Sequence, residues 1–275
     1  MKNKGILLIK GFFMGVANII PGVSGGTLAI TLGIYERLLE AISHFFKKFK
    51  ENISFLIPIG IGAVLFIVLG SRIIEFSLEN YPLPTILFFT GLILGGIPML
   101  YKKVQGHING KNLIIFILTF AFVIGIMFLK SGSNVNLKEV DFLGYFLLFF
   151  VGVIAAATMI IPGISGSFML MVMGYYKPIL NVINEFTSFE NVMHNFFILL
   201  PFGLGVLVGV VGIAKILEYL FKKFEVPTYF GVLGFVLSSI IGIFVQTQIT
   251  ITFFQIVAGI LLFAVGFVIA YKLGD

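Results

Sequence analysis

Long stretches of this chain carry no charged side chain, and this feature constrains its fold most strongly. Leu113–Leu129 and Ile251–Ala270 contain no Asp, Glu, Lys or Arg. An apolar run of about 18 or more residues is long enough to cross the hydrocarbon core of a bilayer as a helix. Across the chain 59% of residues are hydrophobic and 11% are charged, whereas soluble domains have roughly 25% charged residues. The sequence therefore predicts an all-α polytopic membrane protein.

The sequence also repeats itself once. PGVSG at 21–25 aligns with PGISG at 162–166, which lies 141 residues later. FLIPIGIG at 55–62 aligns with ILLPFGLG at 198–205, and both members of this pair are 143 residues apart. RIIEF at 72–76 aligns with KILEY at 215–219 at the same displacement. Matching segments in the same order across half of the chain indicate two copies of one structural unit.

We place the first repeat at residues 1–130, a polar connecting loop at 131–141 and the second repeat at 142–275. Each repeat is predicted to begin with a re-entrant helix hairpin, at 5–42 and at 142–183. Lys10 interrupts the first hairpin helix, so that only Gly11–Ile20 is apolar. Such a helix is about 15 Å long, half of a core of about 30 Å. Three transmembrane helices are predicted to follow each hairpin, at 53–71, 84–100 and 112–130 in the first repeat and at 195–214, 228–244 and 251–271 in the second.

The basic residues predict the orientation of the chain. Lysine and arginine are enriched in cytoplasmic segments of membrane proteins. With the N-terminus in the cytoplasm, that side receives most of the lysines, namely Lys2, Lys4, Lys10, Lys47, Lys48, Lys50, Lys102, Lys103, Lys111, Lys215, Lys222, Lys223 and Lys272. The other side receives only Arg72, Lys130, Lys138 and Lys177. Because each repeat crosses the membrane an odd number of times, the two repeats are predicted to be inverted, as in many secondary transporters.

The repeated motif combines residues that break a helix with residues that start one. Pro21 lacks an N–H and interrupts the preceding helix, and Ser24 is a favourable N-cap for a new helix. A helix start at membrane depth presents free N–H groups that favour an anion. The candidate substrate-binding residues are therefore Asn18, Pro21, Gly22, Ser24, Gly25, Gly26, Thr27 and Arg37 in the first copy, and Pro162, Gly163, Ser165, Gly166 and Ser167 in the second.

Simpler interpretations exist for these residues. Pro-Gly kinks and small residues also allow helices to pack closely, but two such motifs at corresponding positions are typical of a transport site. Charged residues within membrane segments are candidates for function, and here these are Glu36, Arg72, Lys177 and Lys215. The alternative is that such side chains pair or extend to the interface, as Glu75 and Glu218 do if they only pair with Arg72 and Lys215.

Enzymatic functions find little support. The string GVSG is similar to the serine motif of intramembrane proteases, but a serine nucleophile needs an adjacent base. The three histidines, His44, His107 and His194, are all predicted in connecting segments. There is no cysteine, the carboxylates are dispersed, and no basic phosphatase pocket is visible. We therefore expect no catalytic residue, no metal, no cofactor and no nucleic-acid partner. A secondary transporter or channel for a small anion remains an alternative, and an intramembrane serine protease a distant one.

One segment resembles a known family. GFFMGVANIIPGVSGGTLAITLGIYERLLEAI, at 11–42, closely resembles the signature of a bacterial and archaeal membrane family, formerly a domain of unknown function, that comprises polyprenyl-phosphate (undecaprenyl phosphate) translocases. The resemblance extends over the chain and includes PGISGSFML in the second copy. It implies a flippase of the cell membrane that returns undecaprenyl phosphate from the outer to the cytoplasmic leaflet, for recycling in cell-wall synthesis.

The second copy departs from this signature at several positions, so that unequal half-sites are expected. Met159 replaces Asn18, Ser167-Phe168 replaces Gly26-Thr27, and Lys177-Pro178 replaces Glu36-Arg37. A phosphate head group also carries charge through the membrane potential, which costs about 2.3 kcal/mol per charge and 100 mV. Coupling to a proton or a sodium ion is therefore expected, although no residue identifies the ion.

Overall fold

The computed structural model describes residues 4–16, 24–137, 140–246, 249 and 251–274. These residues form α-helices and no strand, so the predicted all-α class is confirmed. The helices are α1 Lys4–Val16, α2 Gly25–Thr31, α3 Tyr35–Ser43, α4 Phe49–Asn80, α5 Pro82–Val104, α6 Gly110–Met127, α7 Phe142–Ile160, α8 Gly166–Val172, α9 Tyr176–Thr187, α10 Val192–Lys223, α11 Glu225–Gln246 and α12 Phe253–Gly274.

Seven of these helices are long and apolar enough to cross a membrane, namely α4, α5, α6, α7, α10, α11 and α12. The chain is therefore a multi-pass membrane protein. In chain order, α1–α6 correspond to α7–α12, and the agreement extends to length. Both α2 and α8 have 7 residues, and both α4 and α10 have 32. The first helix differs most, because α1 has 13 described residues and α7 has 19.

In each copy a turn divides the segment that follows the motif into two short helices. Glu36 and Arg37 therefore do not lie on the helix that starts at the motif. That helix, α2, ends at Thr31 and α3 begins at Tyr35. Gly33 lies between them with φ of +67°, and Gly174 lies between α8 and α9 with φ of +78°. Glycine adopts this backbone conformation without the steric cost of a Cβ atom, so the same turn forms in both copies.

Glycines also join the first and fourth helices of each copy. A Cβ atom on Gly11 of α1 would lie 2.1 Å from the carbonyl oxygen of Ile59, and one on Gly62 of α4 would lie 2.1 Å from a backbone oxygen of α1. Gly152 and Gly205 make the equivalent close approach between α7 and α10, at 2.2 Å and 1.9 Å from backbone oxygens. Small residues allow helix backbones to meet in this way in membranes. The repeat is therefore present in the packing as well as in the sequence.

Helices α1 and α4 run in the same direction. Lys4 and Lys50, near their starts, line one groove, and Gly15 further along α1 lies against Ala63 further along α4. The chain between the two helices must therefore return to the end at which α1 begins. This geometry supports the proposal that residues 5–42 form a re-entrant hairpin.

Contacts between the repeats join the start of a helix in one repeat to the end of the corresponding helix in the other, directly or through one intervening residue. Asn52 at the start of α4 donates a hydrogen bond of 2.9 Å to the carbonyl of His44. The Nδ1 atom of His44 lies 3.2 Å from Oε2 of Glu218 near the end of α10. Likewise, Lys103 at the end of α5 forms a 3.1 Å ion pair with Glu225 at the start of α11. These contacts support the proposal of an inverted repeat.

The two copies nevertheless differ in how their motif helices pack. In α2, every residue from Gly26 to Thr31 is buried, and α3 packs on α10, where the rings of Tyr35 and Phe221 are 6.0 Å apart. In α8 only Gly166 is buried. Helix α9 packs on α8 and α10 of its own repeat, and the described residues include no comparable contact between α9 and α4. The first motif helix is thus central and the second is peripheral.

The proposed orientation can be tested by labelling, because the chain has no cysteine. We expect single cysteines at Lys48 and Lys222 to react only with reagent supplied from the cytoplasmic side. Both lie at the lysine-rich end of the molecule, which we define as the end where α4 begins and α10 finishes. A cysteine at Glu190 lies before the start of α10, at the opposite end from Lys222, and should react only from outside. Labelling of position 190 from the same side as position 222 would contradict the inverted-repeat proposal.

Candidate functional site

The two motifs meet through hydroxyl groups of the first copy. The backbone N–H of Gly163, in the second motif, donates to Oγ1 of Thr27 at 2.8 Å and to Oγ of Ser24 at 3.1 Å. Ser24 is the N-cap of α2 and also accepts from the Thr27 N–H at 3.1 Å. All of these groups are buried. Because unpaired backbone N–H groups are costly inside a membrane, the first copy stabilises the break in the second.

A second contact closes the other side of this break. The hydroxyl of Tyr35 donates 3.0 Å to the carbonyl oxygen of Ile160, the last residue of α7. A Cβ atom added to Gly26 would lie 2.3 Å from the same Ile160 oxygen. We refer to Ser24, Gly26, Thr27 and Tyr35, with Ile160 and Gly163, as the motif junction.

The hydroxyls of the second motif do not join this junction. Oγ of Ser165 is 2.7 Å from Oγ of Ser167, and that pair is exposed. Ser165 is the N-cap of α8, but its side chain makes no capping hydrogen bond to the backbone of that helix. The two motifs are in contact, but this contact joins Ser24 and Thr27 to Gly163, and no hydrogen bond joins Ser24 to Ser165 among the described residues.

The remaining motif residues divide into three groups. Asn18, Pro21 and Gly22 lie outside the described residues. Pro162 and Gly166 are buried beside the junction, and a Cβ atom on Gly166 would lie 2.6 Å from the Met159 side chain. At Gly25, by contrast, an added Cβ would have no atom within 4 Å. The close approach that the sequence suggested for several glycines is thus required at Gly26 and not at Gly25.

The Arg37 side chain is held by contacts with residues of the first repeat. Its guanidinium donates to Oδ1 of Asn52 at 3.0 Å, pairs with Glu40 at 3.3 Å and lies 5.1 Å from the centre of the Phe55 ring. Glu40 in turn contacts Lys48 at 3.4 Å. In this conformation the charge of Arg37 is therefore compensated at the end of the hairpin.

Glu36 of α3, by contrast, contacts the second repeat. Glu36 accepts a very short hydrogen bond from the hydroxyl of Tyr229 on α11. Glu218 on α10 is only 8% exposed and contacts both His44 and Lys222. A cavity of about 580 Å³ opens among them, lined by Glu36, Arg37, Leu39, Glu40, Glu218, Phe221, Lys222 and Glu225. We refer to this region as the ionic contact between the repeats.

Sequence reasoning placed Glu218 and Lys10 incorrectly. Glu218 was interpreted as a partner of Lys215 at the interface, but Lys215 is exposed and Glu218 is buried against His44. Lys10 was predicted to interrupt the first helix and to lie in the cytoplasm. Instead α1 continues through Lys10, which is 6% exposed and donates 2.6 Å to the carbonyl of Leu32 at the end of α2. The C-terminal end of a helix carries a partial negative charge, which favours the buried ammonium group of Lys10 at this position.

Arg72 and Lys177 are both exposed, on α4 and α9 respectively. Of the histidines, which were all predicted in connecting segments, His44 follows α3 but His194 lies inside α10. Among the described residues, no group of three or more His, Asp or Glu side chains is arranged to hold a metal ion.

One pair of structural residues was missed in the sequence, namely Asn52 and Asn195. Both side chains donate to carbonyls of the preceding segment. They occupy equivalent positions in the two repeats, and this equivalence could have identified them.

The junction yields a prediction about packing. We expect Gly26→Ala to lower the free energy of unfolding by about 1–3 kcal/mol, because the new methyl group overlaps the Ile160 carbonyl. Gly25→Ala is the matched control, one residue earlier, and should leave stability nearly unchanged. Thermal unfolding of both variants in detergent measures the difference. Equal stability of the two variants would show that the motifs do not pack as described.

Comparison with known proteins identifies the family. Residues 14–256 match a family model described as undecaprenyl phosphate translocase-like. A protein of Staphylococcus aureus named polyprenyl-phosphate transporter is 34% identical over 98% of this chain and 96% of its own length. A protein of Vibrio cholerae with the same name is 31% identical over 84% of this chain and 75% of its own length. No solved structure matches the chain. The resemblance seen in the sequence is thus confirmed, and the chain belongs to the undecaprenyl phosphate translocase-like family, which is a family of transporters and not of enzymes.

Proposed function

We propose that this protein transports undecaprenyl phosphate, or a closely related polyprenyl phosphate, from the outer to the cytoplasmic leaflet of the cell membrane. The observation that carries the proposal is family membership over most of the chain, together with two relatives named as polyprenyl-phosphate transporters. Inward return makes the phosphate of the carrier available for reloading with cell-wall precursors. The N-terminus is placed in the cytoplasm in this proposal.

The chemistry of the cargo fits a protein of this kind. A phosphate head group needs cations and hydrogen-bond donors when it leaves water, whereas the polyprenyl tail remains in lipid. Broken helices supply such donors only where the protein surrounds them. We propose that the motif residues and Arg37 contact the head group during its passage, after Arg37 has separated from Glu40. The exposed apolar faces of the outer helices leave the tail in the bilayer.

The unequal packing of the two copies supports a two-state mechanism. One repeat has α3 seated on α10 through the ionic contact, whereas the equivalent α9 is not seated on α4. The structure is therefore closed at the lysine-rich end and open at the opposite end. We propose that transport exchanges these arrangements, so that α9 closes on α4 when α3 leaves α10. Inverted repeats allow this exchange because the two halves have similar shapes.

The ionic contact is also where we propose ion coupling. Breaking the contacts of Glu36 and Glu218 with Tyr229 and His44 exposes carboxylates that a proton can neutralise. Movement of a cation with the phosphate offsets the cost of about 2.3 kcal/mol per charge and 100 mV for inward transfer of an anion. A proton suits carboxylate and imidazole groups, while sodium remains the alternative.

Flux measured in proteoliposomes tests the proposed function. We expect isotope-labelled short-chain polyprenyl phosphate to cross the bilayer only when the protein is present, and faster under an imposed proton or sodium gradient. The matching polyprenyl alcohol should show no protein-dependent, gradient-sensitive movement. Chloride flux that is insensitive to added lipid phosphate would instead favour a channel for small anions, and equal transport of phosphate and alcohol would contradict the proposal.

A locked variant serves as the control for this assay. Cysteines replacing both His44 and Glu218 place one thiol directly after α3 and the other on α10, in a chain that has no other cysteine. Treatment with a short bifunctional thiol reagent should stop the flux that the untreated double variant shows, and should leave the flux of each single-cysteine variant at its own untreated level. Undiminished flux in the fully linked protein would show that α3 does not need to leave α10.

A further inference from the structure

A polar cavity of about 660 Å³ lies at the opposite end of the molecule from the ionic contact. It is formed by α9, by the start of α10 and by the segment between the repeats, residues 134–137. Two of its lining residues, His194 and Asn195, lie in the first turn of α10, whereas Glu218 of the ionic contact lies near the other end of that helix. Along a helix with a rise of about 1.5 Å per residue, this separation is roughly 35 Å. The cavity is thus distinct from the ionic contact, and none of its lining residues belongs to the motif junction.

The lining is rich in groups that can donate hydrogen bonds to an anion. Besides Lys177, His194 and Glu185, it contains five asparagines, namely Asn134, Asn136, Asn181, Asn191 and Asn195. An ammonium group and amide N–H groups are the donors that a phosphate monoester accepts. Leu180 and Ile183 on the same helix are 43% and 40% exposed. An apolar tail attached to the phosphate can therefore leave the cavity along α9 into lipid.

The cavity has a positive end and a negative end. Lys177, Asn181 and Glu185 are four residues apart and share one face of α9. Lys177 is exposed, and the described residues offer it no ion-pair partner. Glu185 lies about 12 Å further along the helix, where its Oε2 atom accepts a hydrogen bond of 3.3 Å from Asn195. The positive end is thus open to a ligand, while the carboxylate is partly compensated by the protein.

The first copy shows why this end is free. Lys177 occupies the position of Glu36, and Asn181 the position of Glu40. In the first copy, Glu36 and Glu40 are held by Tyr229, Arg37 and Lys48. On the corresponding face of α9, Lys177 and Asn181 are exposed, and the described residues include no packing of α9 on α4. The acidic residues of the first copy have thus been replaced by a lysine and an amide in the copy whose cavity is open.

We propose that this cavity is the loading site for the phosphate monoester head group, with Lys177 as its cation and Asn181 as an amide donor. The inference rests on the proposed function and adds where the carrier is first bound. In the proposed orientation the cavity faces the outer side of the membrane, from which the carrier is collected. Closure of α9 on α4 would then enclose the head group that Lys177 holds.

Direct binding to the purified full-length protein tests this site. The probes are a short-chain polyprenyl phosphate, the matching alcohol, inorganic phosphate and an acidic phospholipid. We expect the polyprenyl phosphate to bind best, and Lys177→Ala to weaken it roughly 10- to 100-fold, as for loss of one charge-assisted hydrogen bond. Lys177→Arg should retain most of the affinity because the positive charge remains. Asn181→Asp should weaken binding at least as much as Lys177→Ala, because it places a carboxylate beside the lysine.

The controls separate this proposal from the proposed function. Lys111→Ala removes an exposed lysine at the start of α6 and should not change binding, and thermal unfolding should show all variants to be folded. If the wild type binds phosphate in preference to alcohol and Lys177→Ala binds equally well, the loading site is wrong and the proposed function stands. If the wild type does not distinguish phosphate from alcohol, both are wrong. Lysine-dependent binding of inorganic phosphate that the polyprenyl tail does not improve would assign the cavity to free phosphate and overturn a lipid site.

Discussion

The architecture depends on one requirement, which is that broken backbone inside a membrane must find hydrogen-bond partners within the protein. Between α7 and α8 the chain is not helical, so the carbonyl of Ile160 and the N–H of Gly163 have no helical partners. Tyr35 donates to the carbonyl, and Ser24 and Thr27 accept from the N–H. Each partner comes from the first copy. The helix break in the second motif is therefore stabilised only when the two repeats are packed together.

This requirement explains the different fates of two nearly identical motifs. The hydroxyls of the first motif are used at the junction, so α2 is buried and central. The second motif has exchanged Gly26-Thr27 for Ser167-Phe168, and its serines pair with each other at the periphery. The two motifs thus differ in both sequence and structural role. The side chains of the first motif join the two repeats, whereas those of the second motif lie at the exposed periphery.

Much of this arrangement was readable from the sequence. Uncharged runs indicated the membrane helices, and the repeat indicated which elements correspond. Features that depend on a distant partner were not readable. The sequence around Lys10 does not indicate its contact with the Leu32 carbonyl, and the sequence around Glu218 does not indicate its contact with His44. Lys10 was therefore placed in the cytoplasm and Glu218 at the interface. The turn at Gly33 was missed because an apolar segment with helical periodicity continues through it, and only the repeated glycine at Gly174 marks it. For the candidate site, the motif residues were found, whereas the direction of their hydrogen bonds depended on packing that periodicity does not encode.

The hydrogen bonds of the junction can be tested most directly by replacing Thr27 with valine, which keeps its shape and removes the acceptor. Thr31→Val is the matched control, since Thr31 is equally buried on the same helix and its hydroxyl only donates to the Leu28 carbonyl. The free energy of unfolding of each variant, and of Ser24→Ala combined with Thr27→Val, is the quantity to measure. We expect Thr27→Val to lower it by about 1–3 kcal/mol, the double variant to lower it further, and Thr31→Val to change it little. If Thr27→Val and the double variant are no less stable than Thr31→Val, the two motifs are not joined through these hydroxyls and this account of the fold is wrong.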